Sequence, residues 1–386
     1  MDISNFIEFR QLLHRYPELS GAENATRELV RAFITPFSPF TITEIAKTGL
    51  LLTYKGKTKS SRKILIRAEL DALPITEQNN FTYRSLTDSK SHKCGHDGHM
   101  AILCRLAWLL HQHPLESGTA YLLFQPAEEN GKGANAVLQD PAFNKAVDKE
   151  GDPLQVIALH NVPGYEAGHI LLRKGNFTPA VRSIIVKYKG KTSHAAEPEN
   201  GICSAAAIAT FLQAALGMAR PDRTSSQFFL VSPIYMHMGE KSYGVTAGDG
   251  EIHLTIRGYE NNVLDERANR LERLARDTGQ QFGLSTHVDW TEQFEANENS
   301  TGVVDQIEHA SQQLGMVCEY LPSPMKWGED FGLFTRTFKG AMFGIGAGTN
   351  QPALHNPDYD FNDTLIEPAS NLFDRIIRNY LNQEVI

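Results

Sequence analysis

Cysteine is scarce in this chain. Only Cys94, Cys104, Cys203 and Cys318 occur among 386 residues, too few and too scattered for a disulfide framework. A small cross-linked secreted scaffold is therefore excluded, and the thiols are expected to be free or metal-bound. Long apolar runs are missing as well; nothing approaches the roughly 20 residues that a membrane-spanning helix needs. Positive charge is outweighed. With 37 Lys and Arg against 45 Asp and Glu, the net charge of −8 offers no clustered basic surface to a nucleic acid or an anionic membrane. The opening "MDISNFIEFRQLLHRYPEL" lacks a basic segment followed by an apolar run, so no secretory signal is expected there and a cytoplasmic location is. Repeats and low-complexity tracts are absent too. What is present is a globular composition, 41% hydrophobic, and enough length for two domains of about 100 to 200 residues.

The apolar pattern divides that length. "FIEFRQLLHRYPELS" has helical spacing that ends before Pro17, and "ENATRELVRAFI" follows as a second amphipathic helix. Strands then alternate with helices: "KILIRAELD", the helix "MAILCRLAWLLHQH", the strand "TAYLLFQ", a helix starting in "GKGANAVLQD", and the strand "LQVIALH". Such alternation predicts an α/β domain around a largely parallel, buried sheet. Near Ala180 the character changes. Half-buried strand patterns in "RSIIVKYKG", "SQFFLVSPIYMHMG", "EIHLTIRGY" and "LSTHVDW" interleave with the helices "ICSAAAIATFLQAALGMA" and "VLDERANRLERLARDTG", giving a β-α-β-β-α-β order of ferredoxin-like type. The α/β pattern resumes through "GVVDQIEHASQQLG", "AMFGIGAG" and the final helix "EPASNLFDRIIRNYLNQ". The expectation is one α/β domain built from residues 1–179 and 291–386, with residues 180–290 inserted as a smaller α+β domain.

Chemistry concentrates after the strands. "ELDALP", "PAEEN", "HNVPG" and "ALHNPDYD" follow successive strand patterns, and "HKCGHDGH" precedes an apolar helix. In open α/β sheets the binding crevice lies beyond the carboxyl ends of the strands, so these segments are expected to converge. Together they offer Cys94, His96, Glu128, Glu129, His160 and His355. This mixture of thiolate, imidazole and carboxylate suits Zn, with Mn, Co or Ni as alternatives. The set exceeds one tetrahedral site. Two metals about 3.5–4 Å apart would use it fully and would make hydroxide available near neutral pH, a hydrolase's inventory. Glu128 and Glu129 point to opposite sides if extended, so one can bind metal while the other moves protons. Of the remaining histidines, His99 is expected to support the centre, His92 to be exposed, and His111 and His113 to close a helix terminus.

The motifs "LLHRYPELSGAE", "IRAELDALP", "HKCGHDGHMA", "FQPAEENGKGA", "ALHNVPG", "KTSHAAEPENG", "GEDFGLF" and "LHNPDYDFND" occur in that order along nearly the whole chain. In them the chain resembles the aminoacylase-type metallopeptidase family, in its branch of hippurate hydrolase, N-acetyldiaminopimelate deacetylase and auxin-conjugate hydrolases. The resemblance implies a catalytic domain holding two divalent metals, and an inserted domain serving as lid or dimerisation surface. It implies that Cys94, His96, Glu129, His160 and His355 bind the metals, that Glu128 is the general base, and that Asp71 orients the centre. His194 in "SHAAEP" would steady the oxyanion, from the neighbouring subunit if a homodimer forms. Arg257 would clamp a substrate carboxylate. Three positions depart from the pattern: Glu69 stands where Asp is usual, Glu199 where His is common, and Gly244 where Asn is expected.

The activity implied is hydrolysis of an N-acyl amino acid or related small amide by a metal-activated water. Two alternatives stand beside it. One is a dipeptidase or carboxypeptidase using the same dinuclear centre on a short peptide. The other is a non-catalytic metal-binding relative with an altered lid, against which the retained Glu128 argues, since a closed structural site has no use for a spare base.

Overall fold

A computed structural model describes residues 1–147 and 151–382. Two helices open the chain, α1 (Ile3–Arg15) and α2 (Asn24–Ile34), followed by β1 (Thr41–Ile45), β2 (Gly49–Lys55) and β3 (Thr58–Glu69). Next come α3 (His96–Gln112), β4 (Ser117–Gln125), α4 (Gly133–Gln139), α5 (Pro141–Ala146), β5 (Gln155–Pro163), β6 (Ile170–Leu172) and β7 (Gly175–Thr178). The middle of the chain supplies β8 (Ala180–Lys189), α6 (Ala205–Gly217), β9 (Phe229–Met238), β10 (Gly250–Gly258), α7 (Asn261–Gln281) and β11 (Ser285–Phe294). The last part holds β12 (Asn297–Asn299), α8 (Thr301–Gln313), β13 (Cys318–Tyr320), α9 (Gly332–Thr337), β14 (Lys339–Gly348) and α10 (Ile366–Asn382). The expected end of the final helix at Gln383 lies outside the described residues.

The chain divides into two compact units: residues 1–177, 297–322 and 330–386, and residues 178–296 with 323–329. In the first, an eight-stranded sheet runs in the order β1-β2-β4-β3-β5-β14-β6-β13. Its four central strands are mutually parallel: β4 with β3, β3 with β5, and β5 with β14. Antiparallel pairs lie to either side, β1 with β2 and β2 with β4, and β14 with β6. This is the mostly parallel α/β sheet that the alternation predicts. β3, β4, β5 and β14 are buried through almost their whole apolar stretch, as strands covered on both faces must be. The apolar side chains of α1, α3, α8 and α10 close over the sheet with Phe6, Leu13, Met100, Leu103, Ile307 and Phe373 in one continuous core. Thirteen residues of α3 are buried, which is why its sequence is apolar on nearly every side.

The second unit is a four-stranded antiparallel sheet ordered β11-β8-β10-β9, with α6 and α7 packed on it around Ile184, Val186, Phe211, Ile252 and Leu271. Its element order is the β-α-β-β-α-β of the sequence pattern.

Candidate metal centre

Parallel strands bring the ends of β3, β4, β5 and β14 to one rim of the sheet. Asp71 follows β3, Glu128 and Glu129 follow β4, His160 lies near the end of β5, and His355 follows β14. Cys94 and His96 reach the same rim from the start of α3. There Gly95 has φ 92°, a left-handed conformation that a residue with a Cβ adopts only at a cost. Ala127 (φ 56°) and His355 (φ 66°) are also left-handed, so three of the segments carrying candidate ligands turn sharply where they meet.

Seven of the nine site residues expected from the sequence gather here. Ligand atoms of Cys94, His96 and His160 lie within 4.8 Å of one another, as do those of Cys94, Glu129 and His355, and those of His96, Glu128 and Glu129. Cys94 Sγ is 3.4 Å from His160 Nε2. His96 Nε2 and His355 Nε2 approach the two oxygens of Glu129 at 3.9 and 3.7 Å. The remaining two, His194 and Arg257, belong to the second unit. His194 is exposed, bridges to Val245, and accepts the Ala196 N–H at 3.1 Å. Gly244, where asparagine is expected, offers its carbonyl to the Ala195 N–H at 3.0 Å. Arg257 lies in β10, in register with Val181 and Leu230.

Hydrogen bonds fix which nitrogen each buried histidine presents. His96 Nδ1 lies 2.8 Å from the Asp71 carbonyl oxygen, and His160 Nδ1 lies 2.8 Å from that of Asn161. A carbonyl only accepts, so both rings donate from Nδ1 and face the cluster with Nε2. His96 Nε2 is buried and has no hydrogen-bond partner among the described residues. Such an atom is costly unless something binds it, and the neighbouring thiol, imidazole and carboxylates form a donor set that suits a divalent transition metal. The electrostatics agree. Burial alone would depress His96, yet Glu69, Asp71 and Glu129 hold it up to about 10, so this point of the structure attracts positive charge. A metal cation placed there would displace that proton. Burial, reinforced by His99 and His96, keeps His160 neutral and well below the usual histidine range despite Glu69.

A second layer holds these groups. Asp71 Oδ2 accepts from Ser20 Oγ (2.6 Å) and from the Glu129 N–H (2.9 Å), so the aspartate ties the β3 loop to the β4 loop. Burial would raise its pKa, but His96, Ser20 and that N–H keep it ionised. Glu128 is buried and accepts the Asp330 N–H at 3.3 Å. Asp330 is clamped by Arg67 Nη2 at 2.7 Å and by Gln125 Nε2 at 2.9 Å, while Arg67 also pairs with Glu69. Glu69 bonds His99 Nδ1 at 2.6 Å, and His99 Nε2 meets Asn161 Oδ1 at 2.6 Å. The His99 ring packs edge-on against that of His160, a candidate ligand, with centroids 5.0 Å apart. Sequence reasoning assigned nothing to Arg67, Gln125, Asn161 or Asp330. For Arg67, Gln125 and Asn161 the signal was present as polar residues inside or at the end of otherwise apolar strands, and for Asp330 as a member of the "GEDFGLF" motif.

One expectation is overturned. His92 is not exposed but almost fully buried, and its imidazole is pushed down to about 3, chiefly by desolvation. The loop before Cys94 turns inward, and α1 covers it with His14, whose ring lies 6.4 Å from that of His92.

Known proteins resemble the chain over this whole arrangement. Residues 65–379 match the model of peptidase family M20/M25/M40. The chain belongs to that family. It is a hydrolase acting on amide bonds. An N-acetylcysteine deacetylase from Bacillus subtilis (strain 168) is 29% identical over 96% of this chain and 95% of the relative. A hippurate hydrolase from Campylobacter jejuni is 28% identical, covering 97% and 96%. Among solved structures, a Bacillus subtilis protein described as a dinuclear metal binding peptidase from the M20 family superposes with TM-score 0.82 at 25% identity, over 99% of both chains. Family membership and the clustered ligand groups agree on a metal-dependent hydrolase.

Proposed function

We propose that this M20-family hydrolase cleaves the amide bond of N-acyl amino acids, N-acetyl and N-benzoyl compounds foremost, with Cys94, His96, Glu129, His160 and His355 holding two divalent cations. Zinc is the metal we expect, given one thiolate and three imidazoles in the set. The observation that carries the reading is the pairing of that donor set with a buried carboxylate, Glu128, whose ligand atom lies within 4.8 Å of those of His96 and Glu129. When bound, such cations supply Lewis acidity, polarising a scissile carbonyl and lowering the pKa of water. The chain's own residues do the rest. Glu128 removes a proton from the water as its oxygen adds to the carbonyl carbon, and passes that proton to the amide nitrogen as the C–N bond breaks, so that the amine leaves neutral. The Asp330 N–H on Glu128 Oε1 orients it. Asp71 holds His96 and the Glu129 backbone at fixed spacing. To His194 and Arg257 in the second unit we assign the developing oxyanion and the substrate carboxylate.

Small amides as substrates are favoured by relatives of matching length that are named for N-acetylcysteine deacetylation and hippurate hydrolysis. A homodimer is proposed through β9, an edge strand on which Ile234, Tyr235, Met236 and Met238 are exposed, since an uncovered apolar edge invites strand pairing. None of the four cysteines is bridged, and a thiolate ligand calls for reducing surroundings, so the cytoplasm is the location we propose. Among the described residues no helix is long and apolar enough to cross a membrane. The test of the assignment is Glu128→Gln, which removes the base and keeps the shape. Metal content should stay at the wild-type level while turnover of N-acetyl amino acids falls by roughly 100-fold or more, the scale of a lost general base. Full activity in that variant would refute the role.

A further inference from the structure

Lys93 is a fully buried lysine next to a candidate metal ligand, and nothing above gives it work to do. Burying an ammonium costs several kcal/mol, so its partners indicate why it is there. Its Nζ donates to Glu77 Oε1 at 2.6 Å and to the Tyr359 carbonyl at 2.7 Å. Its own carbonyl accepts the His355 N–H at 2.7 Å. One residue therefore grips the 355–359 segment at both ends, by its main chain at His355 and by its side chain at Tyr359. Two weaker ties lie alongside: Gln78 N–H to the Pro357 carbonyl at 3.0 Å, and Asn79 Nδ2 to the Tyr359 carbonyl at 3.2 Å. Glu77, which seats the ammonium, is itself fixed by His14 Nε2 at 3.0 Å and the Ser85 N–H at 2.6 Å.

His355 needs such a grip more than the other candidate ligands do. It lies in coil between β14 and α10, has φ 66°, and its side chain is 51% exposed, whereas Cys94, His96 and His160 are buried. No helix or strand sets its position. Lys93, one residue before Cys94, couples it to the opposite side of the cluster.

We infer that Lys93 is a positioning residue: it sets the spacing between the Cys94–His96 loop and the His355 loop, and through that spacing the affinity of the centre for metal. The inference rests on the proposed metal centre and extends it to a residue outside the ligand set. Without the side chain, Lys93 holds the segment only at the His355 N–H, the longer ties from Gln78 and Asn79 are left to fix its far end, and the imidazole is held less firmly beside Glu129.

The experiment measures zinc affinity of the purified full-length chain by competition with a chromophoric chelator, with folding checked by circular dichroism. Two variants are compared with wild type: Lys93→Met, and the double variant Lys93→Met/Glu77→Gln, which removes the carboxylate that would otherwise lose its ammonium partner and keeps an amide oxygen to accept the Ser85 N–H. Each folded variant should bind zinc about 10- to 100-fold more weakly, the usual effect of losing a group that orients ligands. The same substitution placed on His355→Ala should then change zinc affinity by less than about twofold, because its effect runs through His355. Wild-type affinity in a folded variant, or an undiminished loss in the His355→Ala background, would overturn the role of Lys93. Failure of the wild type itself to bind zinc would instead overturn the metal centre.

Discussion

Gly95 offers the sharpest test of how the Cys94–His96 loop is built. With φ 92°, it would force an alanine into the left-handed region at roughly 1–2 kcal/mol. The added Cβ would also sit 2.4 Å from Asn161 Oδ1 and 2.9 Å from its Cγ. That amide has little freedom to retreat, since it is buried, bonded to His99 on one side and to the Tyr359 hydroxyl on the other. Overpacking of this kind costs about 1–3 kcal/mol. Alanine returns about 0.4–1 kcal/mol by restricting the unfolded chain, leaving a net loss of about 1–4.5 kcal/mol. For a unit of this size a 3 kcal/mol loss lowers the melting temperature by about 6–12 °C. The assay is thermal unfolding in chelator, so that bound metal does not contribute. Gly164→Ala is the control. Its φ is 89°, but nothing lies within 4 Å of the added Cβ, so it reads strain alone. Gly95→Ala should lose more than Gly164→Ala by the overpacking cost. Equal losses in the two variants would refute the close packing described for the loop.

Acid and base should act on the contact between α1 and the loop at Glu77. Burial pulls His14 down, but its bonds to Asp97 and Glu77 raise it to about 9, so its stabilisation is complete below pH 6.5 and is lost as pH rises towards 9. Burial pushes Glu77 up, but His14 and Lys93 hold it near 2, so its stabilisation is present above pH 4.5 and fades as pH falls towards 2. Urea midpoints should therefore be highest between about pH 4.5 and 6.5, and His14→Gln should flatten the alkaline decline; an unchanged profile in that variant would contradict the coupling. At β9, Met236→Lys should blunt the exposed edge and give a monomer in sedimentation velocity where the wild type is a dimer. A wild type that stays monomeric at every concentration would end the dimer proposal.

Much of the site was legible because its residues follow strands. β3, β4, β5 and β14 are apolar runs bounded by polar residues, and parallel strands bring their ends to one rim, so Glu128, Glu129, His160 and His355 could be gathered from the sequence, whereas the role of Asp71 came only from the family resemblance. The alternation in β8, β10 and β11 likewise marked the antiparallel sheet. β1 and β2 were less visible, the first being half-exposed and lying at the sheet's edge, where patterning is weak. The buried ion network was not legible. Arg10 pairs with Asp97 at 3.4 Å, Asp360 at 2.8 Å and Asp363 at 2.8 Å, contacts spanning nearly the whole chain. In sequence those residues resemble an ordinary solvated helix face and loop. His92 was misplaced for the same reason: its burial depends on α1, far away in the chain.

The central claim is that this chain is a metal-dependent amidohydrolase of small N-acylated substrates. The most direct measurement is metal content alongside hydrolysis of N-acetyl amino acids, N-benzoyl amino acids and dipeptides, made on chelated protein and again after adding back Zn, Mn, Co or Ni singly. Two equivalents bound, with hydrolysis of an N-acyl amino acid that disappears on chelation and returns with metal, is the expected result. Hydrolysis that survives chelation, or two equivalents bound with no substrate cleaved, would contradict it.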